Sequence, residues 1–255
     1  MRSVLSAVVA VTLAAGAAQG WGSLVASYAS PGSSPYGAGF INYGGVNYIT
    51  LTTQSPNRVW RLYESTGSVY SSFAPPAVII NGCDSGVLGG TPTTWLVSMS
   101  PNYIYRCAYD TGSIYNTYSS PATYPFGLAY GEVGGTPYLF HSDLNYSLYR
   151  LNPTTGSVYA SMFVNFQPRD LAYGGGYLWF ASDGYLIRRT NTLGSTTASF
   201  SVASGGAQPV AVAYDPVGPY VWVGFDTPAN RLNVYEINAV DILPASLGKV
   251  KAIYR

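Results

Sequence analysis

Phe126-Gly-Leu-Ala-Tyr130, Tyr138-Leu-Phe140, Tyr146-Ser-Leu-Tyr-Arg-Leu151 and the phrase Gly156-Ser157-Val158 with Phe163 follow one another along one stretch of the chain. They are four short runs rich in aromatic and β-branched residues, separated by Gly, Pro, Asn and Asp. None has a useful helical period, so each is read as a strand. The order returns at once as Asp170-Leu-Ala-Tyr173, Tyr177-Leu-Trp-Phe180, Tyr185-Leu-Ile-Arg188 and the phrase at Gly194.

The closing phrase sets the period. It occurs at Gly22-Ser23-Leu24, Gly67-Ser68-Val69, Gly112-Ser113-Ile114, Gly156-Ser157-Val158, Gly194-Ser195 and Gly248-Lys249-Val250, each followed by an aromatic residue. The intervals are 45, 45, 44, 38 and 54 residues. Five intervals of four antiparallel strands predict an all-β, five-bladed β-propeller. The phrase occurs six times for five blades, so one terminal strand is surplus. One aromatic recurs in each second strand: Tyr48, Trp95, Phe140, Trp179 and Trp222. A recurring position has a recurring structural cause, here packing between blades.

The order apolar-Ala-Tyr, Tyr-Leu-Trp, Tyr-x-Leu-Tyr-Arg-Leu, Thr-Gly-Ser resembles the secreted bacterial propeller repeats of the NHL and YVTN type over residues 22–255. The resemblance implies a funnel in which the first strand of each blade lines a central channel. The expected lining is residues 37–40, 78–80, 127–129, 170–172 and 210–213, with Asp170 as its only carboxylate. Propellers of this type serve as adhesins, scaffolds, sensors and, in a few cases, enzymes.

Residues 1–20 read as a secretory signal peptide and residues 21–255 as the propeller domain. Arg2 supplies the positive start, residues 4–15 are apolar, and Ala15, Ala17, Ala18 and Gly20 offer small-residue cleavage sites. The stretch is shorter than the about 20 apolar residues of a spanning helix, and no later run is long enough to cross a bilayer. The chain is expected to be secreted, extracellular or at the cell surface. Charged residues make up 9% of it and the net charge is +1. That leaves no electrostatic footprint for nucleic acid or an anionic membrane.

Candidate chemistry is sparse, and no catalytic, cofactor-binding or metal residue is assigned. Asp143, Asp183 and Asp226 each follow a second strand, where Asp caps a turn through its own backbone. His141, the only histidine, sits in a strand and reads as structural. Arg169-Asp170 begins a first strand and reads as a local ion pair that could rim the channel. Arg188-Arg189 makes no nucleic-acid patch. Asn145-Tyr146-Ser147 is the only Asn-x-Ser/Thr sequon and falls in a turn. Cys107 lies on a third strand and Cys83 in the loop after a first strand. With neighbouring strands about 4.8 Å apart, two steps give about 9.6 Å, beyond the roughly 7 Å that a disulfide spans between Cα atoms. Free thiols are expected.

The function these observations favour is a non-catalytic extracellular or cell-surface module, structural, self-assembling or partner-binding. Its partner is itself, another extracellular protein or a glycan. The alternatives are a carbohydrate- or small-ligand-binding propeller, supported by Tyr, Trp and Asn in the loops, and a propeller enzyme of the lyase or hydrolase kind.

Overall fold

The computed structural model describes residues 22–202 and 205–237. Within them lie twenty strands in five four-stranded antiparallel sheets. Blade 1 is β2 (Ser33–Tyr43), β3 (Val46–Ser55), β4 (Asn57–Tyr63) and β5 (Val69–Phe73). Blade 2 is β6 (Ile80–Leu88), β7 (Thr91–Met99), β8 (Asn102–Ala108) and β9 (Ile114–Ser119). Blade 3 is β10 (Pro125–Val133), β11 (Thr136–Asp143), β12 (Ser147–Leu151) and β13 (Val158–Phe163). Blade 4 is β14 (Pro168–Gly174), β15 (Tyr177–Ser182), β16 (Leu186–Thr190) and β17 (Thr196–Ser201). Blade 5 is β18 (Pro209–Asp215), β19 (Tyr220–Phe225) and β20 (Arg231–Glu236), and its outer strand is the N-terminal β1 (Ser23–Ala29).

The inner strands β2, β6, β10, β14 and β18 contact one another in that cyclic order, β18 returning to β2. The chain therefore closes as a five-bladed propeller, with β1 pairing antiparallel to β20 as the clasp. The other terminal copy of the closing phrase, at Gly248, lies outside the described residues, as does the stretch 1–20. No helix among the described residues is long and apolar enough to cross a membrane.

The first hairpin of four blades turns on a Gly-Gly pair: Gly44-Gly45, Gly89-Gly90, Gly134-Gly135 and Gly175-Gly176. Both glycines of each pair have positive φ, between 57° and 81°. That is the two-residue turn whose twist matches the flanking strands.

The blades are joined by a repeated unit. Tyr130, Tyr173 and Tyr214 on inner strands stack on Trp95, Phe140 and Trp179 of the preceding blade, at ring-centroid distances of 4.7, 5.7 and 5.8 Å. Each tyrosine lies against a glycine of that blade (Gly86, Gly131, Gly174), where a Cβ would overlap the ring. The hydroxyls of Tyr130 and Tyr173 donate to the Val87 and Glu132 carbonyls at 3.1 and 2.9 Å. Between blades 1 and 2 the unit is inverted. Ser85 replaces the tyrosine and Ile41 the glycine, and a hydroxyl chain Thr50–Ser85–Thr94 at 2.8 and 2.9 Å replaces the stack. Trp95, Phe140, Trp179 and Trp222 are buried at one register position of the second strands, as read from the repeat; in blade 1 that position is Thr50, opposite Gly39, and the buried Tyr48 stands two residues earlier, opposite Ile41.

Two expectations for blade 2 are corrected. The apolar residues 78–80 do not line the channel: Val78 is 80% exposed and only Ile80 enters β6. The inner strand is the less apolar stretch that follows, and Cys83 lies within it rather than in a loop. Strands nearest the axis approach one another so closely that they select small residues over β-branched ones. At Gly37, Gly82 and Gly127 an added Cβ would overlap the backbone of the next blade.

Candidate functional site

Aligned by register, the inner strands place Gly37, Gly82, Gly127, Asp170 and Ala211 at one level. Gly39, Asp84, Ala129, Ala172 and Ala213 stand two residues on. Each level has one carboxylate among small residues. Innermost strands have a free edge whose N–H groups face the channel, and such groups are costly if left without partners.

The two carboxylates answer that need. Asp170 Oδ2 accepts the N–H of Ala38 in blade 1 and of Val212 in blade 5, both at 2.9 Å. Asp84 Oδ2 accepts the N–H of Tyr130 in blade 3 at 2.6 Å, and Oδ1 accepts that of Ser85 at 2.7 Å. The Phe40 amide of blade 1 also bonds to Asp84. Both side chains are buried, and burial raises both carboxyl pKa values well above the usual range. Asp170 therefore spans three blades and makes no ion pair with Arg169, contrary to the reading of that dipeptide. Arg188 and Asp183 do form an ion pair, at 3.9 Å. Asp84 is the second channel carboxylate that the sequence reading missed. The available signal was its break from the Gly/Ala pattern of the other four blades.

A small cavity of about 100 Å³ adjoins Asp84, walled by Phe40, Ser85, Tyr130, Tyr173 and Tyr214. It lies at the end of the channel where the inner strands finish. At the opposite end, where inner strands begin, blades 4 and 5 frame a larger cavity of about 310 Å³. Arg169, Tyr185, Gln208 and Asp226 line it. The Tyr36 hydroxyl, on β2, lies within electrostatic reach of Arg169 and Asp226. Burial raises its pKa, the Asp226 carboxylate adds to that rise, and Arg169 opposes it.

His141 is buried and fully engaged. A carbonyl only accepts, so Nδ1 donates to the Gly127 oxygen at 2.8 Å and Nε2 accepts the Ser120 hydroxyl at 2.8 Å. Burial lowers its pKa to about 4. Ser120 Oγ in turn accepts the Ala122 N–H at 3.1 Å, so this Ser–His contact pins a loop to a blade.

The three turn carboxylates stay apart. Asp143 accepts the N–H groups of Thr123, Tyr124 and Asn145, and Asp226 that of Thr227. Asp183 faces Arg188. Among the described residues no three His, Cys, Asp or Glu side chains gather as a metal site. Arg188 lies over Phe166, and Arg189 over Tyr177 at 4.2 Å. Asn145 is exposed in its turn. Cys83 and Cys107 are both free and buried, on strands flanking β7.

No protein-family model matches the sequence, and no curated protein does. Among solved structures the chain is similar to the glutaminyl cyclase of Myxococcus xanthus. The TM-score is 0.63 at 11% identity, over 85% of this chain and 97% of that one. It is also similar to the WD40 β-propeller domain of Doa1, with a TM-score of 0.51 at 11% identity, over 79% of this chain and 64% of that one. Likeness at 11% identity carries the fold alone: the chain is a β-propeller.

Proposed function

We propose that the chain is an extracellular, non-catalytic propeller that assembles with copies of itself through its outer rim. The observation that carries this reading is a repeated exposed apolar pair on the outermost strands. Leu24-Val25, Val69-Tyr70, Ile114-Tyr115 and Val158-Tyr159 stand at the start of β1, β5, β9 and β13, each residue between 46% and 53% exposed. Blades splay apart with distance from the axis, so neighbours cover the inner strands and leave the outer ones bare. Each pair sits on an outer strand that is also an unpaired sheet edge, open to pairing with another chain.

The partner is a second copy because the ring has five outer places, and β5, β9, β13, β17 and β1 fill all five. The sixth copy of the closing phrase, outside the described residues, has the sequence of an outer strand and no place left in its own ring. In this reading it pairs with the outer edge of a neighbouring molecule by β-augmentation. Donation of that kind that does not close gives a filament. A net charge of +1 with 9% charged residues does little to oppose such contacts.

Light scattering and native mass spectrometry of residues 21–255 test the proposal. Concentration-dependent oligomers are expected, and removal of residues 248–255, or Ile114→Lys with Val158→Lys, shifts them to monomer. A strictly monomeric protein at high concentration ends the assembly reading.

A further inference from the structure

We propose that β13, the outer strand of blade 3, is the edge that accepts the donated strand of a second copy. This rests on assembly by strand donation and names its acceptor site. A break in the repeat carries it. In five copies of the closing phrase the aromatic stands six residues after the glycine, as from Gly22 to Tyr28, but in blade 3 it stands seven after Gly156, at Phe163. Successive side chains of a strand point to opposite faces, so the extra residue reverses Phe163. Tyr28, Phe73, Tyr118 and Phe200 lie against Gly67, Gly112, Gly156 and Gly22 of the next blade, where a Cβ would overlap the ring. At the corresponding Gly194 the nearest side chains are Val164 and Met162. Phe163 is instead 71% exposed and stacks on the exposed Tyr146, with ring centroids 6.0 Å apart.

The backbone of β13 is open at the same place. Val164 N–H donates to the Tyr146 oxygen at 2.9 Å, and bonded and unbonded pairs alternate along an antiparallel ladder. Ser161 and Phe163, opposite Tyr149 and Ser147, therefore turn their N–H and C=O groups away from β12. The same alternation, fixed by the amides of Ser30, Ser120 and Val202, turns out Ser27 and Ala29 on β1, Thr117 and Ser119 on β9, and Ser199 and Ser201 on β17. These other edges suit an apolar strand less well. On β9 the Thr117 N–H is taken by Asn116 Oδ1 at 2.8 Å. On β17 every exposed residue is Thr or Ser, and β5 is half-buried from Ser71 onward. On β1 the small Ala29 stands where β13 has Phe163. Among the described outer strands, β13 alone joins an open backbone to large exposed apolar side chains at both ends, Val158 and Tyr159 at one and Phe163 at the other. The donated phrase, Val250-Lys251-Ala252-Ile253-Tyr254, brings β-branched and aromatic residues of the kind that pair across strands.

Native mass spectrometry and amide hydrogen exchange of residues 21–255 test this. Ser161→Pro removes an outward N–H and leaves the β12 ladder intact, which an edge strand tolerates. Phe163→Ser removes the exposed ring. Each is expected to weaken association about tenfold, the loss of one or two contacts, while Ser199→Pro on β17 leaves it unchanged. Exchange at Ser161 and Phe163 slows on assembly, and that at Ser199 and Ser201 does not. If Ser161→Pro melts early, Phe163→Ser and the exchange pattern decide. Oligomers indifferent to both substitutions, or protection arising on another outer strand, overturn this acceptor and leave assembly at the rim standing. A strictly monomeric unsubstituted protein removes both.

Discussion

Asp170 and Ala38 are 132 positions apart in sequence, and the carboxylate of the first accepts the amide N–H of the second at 2.9 Å across the channel. The same Oδ2 accepts the Val212 N–H. One side chain of blade 4 thus holds the joint between the first and last blades, alongside the β1–β20 clasp. Asp170→Ala leaves two buried N–H groups without a partner, at about 1–3 kcal/mol each. Urea denaturation is expected to show a lowered midpoint with an unchanged slope. A midpoint equal to that of the unsubstituted protein would mean that water serves the channel edge equally well.

Burial of Asp84 and Asp170 also sets a pH trend. Their folded-state pKa values lie above the unfolded value of about 3.9, so the folded state binds more protons in the interval between. Their contribution is full below that interval and is lost as pH rises through it. Asp170→Asn, which cannot ionise, should flatten the decline in stability as pH rises through that interval. Melting temperatures across a pH series check this, and an unaltered slope in the variant speaks against it.

His141 acts in the opposite sense. Its folded pKa of about 4 lies below an unfolded value of about 6.5, so the unfolded state binds the extra proton between them. Stability is present above about pH 6.5 and lost as pH falls toward 4, by about 3 kcal/mol for a gap of this size. His141→Gln is expected to be less stable at neutral pH but to lose less on acidification. A proton resonance of His141 titrating near its ordinary value contradicts the burial argument.

Cys83 and Cys107 should be silent in the native protein. Burial pushes the Cys107 thiol up to about 12, and burial with the nearby Asp170 and Asp84 carboxylates raises that of Cys83. Little thiolate is therefore present at neutral pH. A thiol reagent should label neither cysteine in buffer and both in guanidinium, with an intact mass indifferent to reductant. A mass lower by two hydrogens before reduction would reveal a disulfide.

Trp179 is fully buried and stacks on Tyr214 of the next blade. Trp179→Ala should cost about 3–5 kcal/mol, the range for truncating a buried large aromatic. The exposed Tyr146 offers a contrast on the surface. Tyr146→Gly removes a positive φ of 64° from a non-glycine residue and is expected to be near neutral, by opposition of lost stacking on Phe163 and relieved strain. Thermal denaturation of the two variants side by side measures the difference.

The spacing of Gly-Ser phrases, the alternation of short apolar runs with Gly, Pro and Asp, and the recurring aromatic of the second strand determined the five blades from sequence alone. Such features are legible because each repeat must solve the same local problem of strand, turn and face. The repeat also left the two ends in competition for one closing place, and only the tertiary structure assigned it to β1. At the first strand of blade 2, Val78 and Ile79 look like strand residues while Gly82, Cys83 and Asp84 do not, yet the strand is Ile80–Leu88. What decides there is the distance between backbones around the axis, which the order of residues along the chain does not carry. The same holds for the partners of Asp84 and Asp170 and for the cavity of Arg169 and Gln208. Ring closure brings residues of different blades together, and the free N–H edge that calls for a carboxylate exists only once the ring has closed.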